Sequence, residues 1–116
     1  MSQTPDDDPG TALFLVVTIR PKLDQLAAAE AQLHRMRAAS QQEEGCEFMH
    51  LVQGGVAFEG VPTENEPDTW TMIEKFASRP AWDEHMASAH NQRGNAELEP
   101  MLRAPSTLRL FHEKLP

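Results

Sequence analysis

Thr69-Trp-Thr-Met-Ile-Glu-Lys-Phe76, followed two residues later by Arg79-Pro-Ala-Trp-Asp-Glu-His85, is the stretch that decides the fold. Its first half alternates. Trp70, Met72, Glu74 and Phe76 fall on one side of an extended chain, and Thr71, Ile73 and Lys75 on the other. β-branched and aromatic residues suit a pleated surface, so a strand is predicted over 69–76. The second half changes period. Arg79-Pro80 puts proline in a first helical turn, where its missing N–H is no loss, and a helix is predicted through Ala81–Ala87. A second helical piece follows from about Asn91 to Leu102, weakened by Gly94, kinked at Pro100 and ended by Pro105. Thr107–His112 then supplies a closing strand, with Leu108 and Leu110 on one face and Arg109 and Phe111 on the other.

Upstream, Leu13-Phe-Leu-Val-Val-Thr-Ile-Arg20 is a first strand closed by Pro21. Leu13, Leu15, Val17 and Ile19 share one face, and Phe14, Val16, Thr18 and Arg20 the other, so both faces call for cover. Leu23, Leu26, Ala27, Glu30, Leu33, Met36 and Arg37 recur at helical spacing and predict a helix from about Lys22 to Gln42, stopped by Gly45. Cys46–Gln53 is a second strand. Gly54–Asp68, with three glycines and two prolines, is an excursion too long for a tight hairpin. The order β-α-β-β-α-β is the split βαβ pattern of the ferredoxin-like fold. It is an α+β architecture in which a four-stranded antiparallel sheet carries helices on one face. The uncovered apolar face implies an interface, most simply a homodimer packed sheet on sheet.

The chain has 116 residues, which suits one domain over residues 12–116 behind a disordered, proline- and aspartate-rich tail over residues 1–11. Lys plus Arg number 10 and Asp plus Glu 18, for a net charge of −8. Seven of those acids lie in residues 1–11 and 54–68, which hold no Lys or Arg, so the rest of the chain is nearly neutral with 10 basic and 11 acidic groups. Without a basic stripe, nucleic-acid binding is not expected. The longest apolar run, Ala12–Val17, is far below the ~20 residues that cross a bilayer. Asp6–Asp8 stands where a secretion signal would be positive, so a cytoplasmic location is expected. One cysteine, Cys46, excludes an internal disulfide and a cysteine-based zinc site.

With no tyrosine, proton transfer falls to His, Asp or Glu. Glu74 is the anomaly, a carboxylate on an otherwise apolar strand face, where burial without a partner costs several kcal/mol. His85 and His90 are its nearest polar candidates in sequence, and an acid–imidazole pair fixes a histidine tautomer for proton transfer. A structural hydrogen bond pinning helix to sheet is the competing reading. His85 and His90 point about 140° apart on a helix, which does not suit a shared metal ion, and no metal is expected. Trp82, three residues before His85, shares its helix face and serves either as core or as a flat wall for a planar ligand. Met36, Met49, Met72 and Met86 suit gap-filling or an adaptable apolar pocket. His34 and His112 read as bystanders, and His50 is ambiguous.

Taken together, the helix leading through Glu44-Gly45-Cys46 into the second strand, Trp70-Thr-Met-Ile-Glu74, Ser78-Arg-Pro-Ala-Trp82-Asp-Glu-His85 and the following His90 resemble the antibiotic biosynthesis monooxygenase superfamily. The likeness runs from about Leu13 to Phe111. It implies a dimeric α+β barrel with a pocket between sheet and helices in each protomer. It also implies a cofactor-independent monooxygenase acting with O₂ on a small electron-rich aromatic of quinol or anthrone type. Carried onto this chain, His90, His85 and Glu74 become the catalytic candidates, with His90 or His85 as base and Glu74 orienting it. Trp82, Trp70, Met72 and Phe76 become the walls. Haem-degrading members use an asparagine on the first strand, and Leu13–Arg20 holds none. Two other readings stay open: a proton-shuttling isomerase or tautomerase in the same pocket, and a non-catalytic dimer that binds a small ligand.

Overall fold

The computed structural model describes residues 11–62 and 66–116. The expected disordered tail falls outside them apart from Thr11, as do residues 63–65 of the acidic excursion. The elements run β1 (Leu13–Ile19), α1 (Leu26–Ser40), β2 (Cys46–Gln53), β3 (Trp70–Phe76), α2 (Arg79–Ala87), α3 (Ala89–Leu98) and β4 (Thr107–His112). The strands form one sheet in the order β2-β3-β1-β4, every neighbouring pair antiparallel. This is the ferredoxin-like arrangement, with β3 inserted between the two strands that α1 connects.

Alternation decides which face is covered. Leu13, Leu15 and Ile19 of β1 and Trp70, Met72, Glu74 and Phe76 of β3 are all buried beneath the helices. Cross-strand register sets Glu74 opposite Leu15 on one side and Met49 on the other. Both neighbours are buried apolar side chains, so the carboxyl sits mid-sheet with no cross-strand polar partner. On the far face Phe14, Val16, Thr71 and Ile73 stay half-buried with no helix above them. β4 is exposed along its whole length, including Leu108 and Leu110 on the helix side.

Several boundaries differ from the sequence expectation, each for a backbone reason. The first helix begins at Leu26, not Lys22. Pro21 bridges to Leu102 and the Lys22 N–H donates to the Met101 carbonyl at 2.8 Å, which holds Lys22 extended until a 3₁₀ turn over Leu23–Gln25 opens the helix. It ends at Ser40, and the bonds Gln42 N–H to Ala39 O and Glu43 N–H to Ser40 O form a turn that delivers Glu43. Ser88 separates α2 from α3, so α3 starts at Ala89. Pro100 does not kink α3; it falls in a 3₁₀ turn over Glu99–Met101 after the helix has ended. Gly94 is the contact point of α3 with α1, for a Cβ there would lie 2.8 Å from the Met36 side chain. The buried Gln32 amide of α1 donates to the Gly94 carbonyl at 3.0 Å and locks the same crossing. No helix among the described residues is long and apolar enough to cross a membrane.

Candidate active site

The site is assembled from three segments that the fold brings to one corner. Ser78 caps α2 by accepting from the Ala81 N–H at 3.2 Å, directly after β3 ends. Gly45 permits the next approach. A Cβ at this position would lie 2.3 Å from Ala81 Cβ, and its carbonyl accepts from the Ala77 N–H at 2.8 Å. The turn carrying Glu43 is thereby pressed against the start of α2. Ser88 then ends α2, donating through Oγ to the His85 carbonyl at 2.7 Å, and caps α3 by accepting from the Asn91 N–H at 3.3 Å. One serine thus ends one helix and opens the next between His85 and His90.

The result is a carboxylate shared by two imidazoles. His85 Nδ1 lies 3.0 and 3.1 Å from the two Glu43 carboxylate oxygens, and His90 Nε2 lies 2.5 Å from Glu43 Oε2. The other His85 nitrogen, Nε2, faces Glu74 Oε1 at 4.0 Å, beyond hydrogen-bond reach. His85 is 5% exposed and Glu74 6%. Phe76 lies 4.8 Å from the His85 ring, centroid to centroid, and Trp82 lies 6.1 Å away at an interplanar angle of 28°, with 5.8 Å between the two aromatics, so the three rings pack as one mutual cluster.

Burial pushes the Glu74 carboxyl up to about 7, and the nearby Glu43 charge pushes in the same direction. Burial lowers the His85 pKa, against the raising effect of its bond to Glu43. A neutral imidazole donates Nδ1–H to Glu43 and leaves a lone pair on Nε2. Burial and the two carboxylates push the Cys46 thiol up to about 11, which keeps it protonated and inert.

His85 and Glu74, the residue its Nε2 faces, both line a cavity of about 280 Å³, close to the low end of the ~300–1,000 Å³ typical of small-ligand sites. Sheet residues Leu15, Val17, Ile19, Met49, Met72 and Glu74 form its floor. Leu33, Met36, Trp82, Met86 and Leu98 come from the helices. Glu74 and His85 are the titratable groups among its lining, and Ser40, Asn91, Asn95 and Ser106 are the other polar ones. No group of three or more metal-ligating His, Cys, Asp or Glu side chains arises among the described residues.

The model for the family described as antibiotic biosynthesis monooxygenase matches residues 12–97, most of the chain. The chain belongs to this family. No curated protein matches it in sequence. Among solved structures it is similar to Rv0793 from Mycobacterium tuberculosis, 23% identical over 90% of this chain and 96% of that one, with a TM-score of 0.74. It is similar to PA3566 from Pseudomonas aeruginosa, 22% identical over 93% and 99%, TM-score 0.74. A Caulobacter crescentus protein provisionally named an antibiotic biosynthesis monooxygenase is 16% identical over 91% and 92%, TM-score 0.78. At such identities the structural likeness speaks to the fold.

Within this family fold the residues singled out from the sequence divide. Glu74, His85, Trp82 and Met72 reach the cavity, as do all four methionines expected to fill gaps. Trp70 and Phe76 are buried but do not line it; Phe76 acts through the His85 ring. His90 does not line it either and binds Glu43. Arg20 pairs with Glu66 at 3.0 Å and Arg109 lies over the Phe111 ring on the open face, so neither cation reaches the cavity. His34 is exposed on α1 as expected. Glu43 is the residue that the sequence reading missed. It follows the helix as one of two consecutive acids and resembles an ordinary polar helix end. The signal available was the glycine two residues later.

Proposed function

We propose that this chain is a cofactor-independent monooxygenase of a small, electron-rich aromatic of quinol or anthrone type, with His85 as the base. One observation carries the reading. An imidazole oriented by a carboxylate at Nδ1 lines an apolar cavity of small-ligand size, with its free Nε2 on the side of Glu74, which lines the same cavity. That is the orienter–base logic by which enzymes hold one histidine tautomer ready. The assignment departs from the sequence expectation in one respect: Glu43, not Glu74, orients the histidine. His90 braces Glu43 from the other side, and Glu74 stands in the cavity as a second proton acceptor that titrates near neutrality.

The chemistry asks little of the protein. His85 Nε2 takes a phenolic or benzylic proton, and the carbanion or phenolate that remains passes one electron to O₂. The substrate radical and superoxide combine at carbon. The resulting peroxide anion takes the proton back from His85 and then loses water, so that in an anthrone a CH₂ plus O₂ becomes C=O plus H₂O. Apolar walls keep water from quenching the radical pair. A homodimer formed across the open sheet face belongs to the same proposal. It would cover Phe14, Val16, Ile73 and Phe111, of which Phe111 is 40% exposed in the single chain.

A second reading rests on the His85–Glu74 pair itself: two proton carriers 4.0 Å apart would also shuttle a proton between carbon and oxygen without O₂. Oxygen uptake separates the two. Metal-free protein is assayed over a panel of quinols and anthrones beside Glu43→Gln and the double substitution His85→Ala with His90→Ala. Uptake above autoxidation, reduced about a hundredfold by either change, is the expected result. Uptake unchanged in both removes this site, and no uptake with anaerobic product formed moves the assignment to the isomerase.

A further inference from the structure

Two carboxamides share the apolar cavity with the imidazole, and the reaction proposed above gives them no task. Asn91 and Asn95 lie one turn apart on α3 and both line the cavity. Asn95 Nδ2 donates to the Asn91 carbonyl at 3.0 Å and to Asn91 Oδ1 at 3.2 Å. This second bond fixes the Asn91 amide, because its oxygen is engaged by Asn95 and its NH₂ must turn the other way. The acceptor that NH₂ meets among the described residues is the Met86 thioether, with Nδ2 to Sδ at 3.8 Å. Thioether sulfur is a weak acceptor, and an amide donor normally finds oxygen when buried. Asn91 is 7% exposed, so bulk water does not supply that oxygen freely. An under-used donor, held in place by a neighbour, faces a cavity whose floor is almost wholly apolar.

We infer that the Asn91 amide, braced by Asn95, is the second anchoring point for the substrate, donating to a ring oxygen remote from the atom that gives up its proton. This rests on the oxygenase reading and names what that reading leaves open, namely which aromatics are accepted. The expected substrates supply such an oxygen. When an anthrone loses a methylene proton, the charge moves to the carbonyl oxygen on the opposite side of the ring. When a quinol loses one hydroxyl proton, the second oxygen lies at the para position. In both cases an N–H fixed at that oxygen stabilises the anion as it forms. A simple phenol has no second oxygen and leaves the donor unspent. The site therefore selects rings that carry an oxygen para to the position that loses its proton. Asn91 touches the substrate, and Asn95 acts through it as a positioning residue.

The test compares naphthohydroquinone with α-naphthol, which differ by the one oxygen at issue. Binding is measured by anaerobic titration calorimetry on the wild type, Asn91→Leu and Asn91→Asp, and O₂ uptake is then followed on the same proteins. Wild type is expected to hold the quinol about tenfold more tightly than the naphthol, the worth of one hydrogen bond to a buried donor. Asn91→Leu is expected to erase that preference while leaving naphthol within about twofold of its wild-type affinity. Asn91→Asp keeps the side-chain shape while replacing the donor with an acceptor, and it carries the test if the leucine variant does not fold. Asn95→Ala is expected to show a smaller loss, again confined to the quinol. Equal weakening of both ligands, no weakening, or no preference in the wild type overturns the proposal. Asn91-dependent preference without O₂ uptake supports the anchor and removes the oxygenase reading instead.

Discussion

β3 offers its two faces for direct comparison, residue by residue. On the covered face Trp70, Met72, Glu74 and Phe76 are 9, 4, 6 and 0% exposed. On the open face Thr71, Ile73 and Lys75 keep partial access to water, although their neighbours Phe14 and Val16 are apolar. Each face carries an ionisable side chain in an apolar setting, and their fates differ. Lys75 lies over the Phe14 ring, its Nζ 5.4 Å from the centroid, and pairs with Glu47 at 2.9 Å, so its charge remains within reach of solvent. Glu74 has no such outlet, and its carboxyl is driven up to about 7. The same strand thus holds an ordinary surface charge next to a carboxyl whose charge burial disfavours. What distinguishes them is the layer of helices above.

The largest effect should come from removing the covered face's central ring. Phe76 is fully buried and contacts both His85 and Trp82, so Phe76→Ala should cost about 3–5 kcal/mol in urea denaturation. Ile73→Ala, one pleat away on the open face, should cost about 1 kcal/mol or less at low protein concentration. Under the proposed dimer its cost should grow with concentration, since association stabilises by mass action. Equal costs for the two at every dilution would break the contrast between the faces.

The next effect is a pH dependence that the covered face alone should show. Glu74 in the folded chain titrates near 7, against 4.5 for the ordinary carboxyl. Its pKa is raised, so the folded state holds the proton more tightly than the unfolded one. The stability this proton confers is complete below pH 4.5 and is lost as pH rises through 7. Over that window the loss is on the order of 3 kcal/mol. Glu74→Gln, neutral throughout, should therefore be more stable than wild type at pH 8, with the gap closing toward pH 5. His85 works in the opposite sense. Its folded pKa is lowered, so the stability its neutral form confers is present above the ordinary 6.5 and is lost as pH falls through the folded value. Thermal melts of wild type and Glu74→Gln between pH 5 and 8 measure the carboxyl's share directly. A gap that is constant across that range would show that Glu74 does not change its charge there.

Much of this contrast was legible in the sequence, and the part that was not has a physical reason. Period-two alternation in Thr69–Phe76 announced both faces of β3, and a carboxylate among Trp70, Met72 and Phe76 announced itself as anomalous. Trp82 and His85, three residues apart, were bound to share a helix face. Glu43 was hidden because its role depends on a close approach at Gly45 and Ala81, a contact between segments 36 residues apart that no local pattern encodes. Trp70 and Phe76 were placed on the correct face, but strand alternation gives a direction without saying whether a helix or a void lies above. The burial of Asn91 and its bond from Asn95 depend on how α3 leaves the Ser88 corner, and nothing in local sequence specifies that angle.

The smallest effect tests the open face and depends on salt. Lys75 and Glu47 form an ion pair whose side chains are 29 and 44% exposed. Pairs of that kind contribute about 0–1 kcal/mol, because water already solvates both charges well and holding two long side chains together costs entropy. Glu47→Gln should therefore shift stability by less than about 1 kcal/mol, and the shift should fade toward zero as salt is raised to about 1 M, where the screening length is about 3 Å. The Glu74→Gln gap at pH 8 should persist in the same salt, because its cause is loss of hydration within the protein and mobile ions do not enter there. Two carboxylates, Glu47 beside Lys75 and Glu74 beneath the helices, would then differ in their response to a single variable, the one effect fading and the other persisting. If salt erased both effects alike, Glu74 would have to be reached by solvent, and its proposed part as a proton acceptor in the cavity would fall with it.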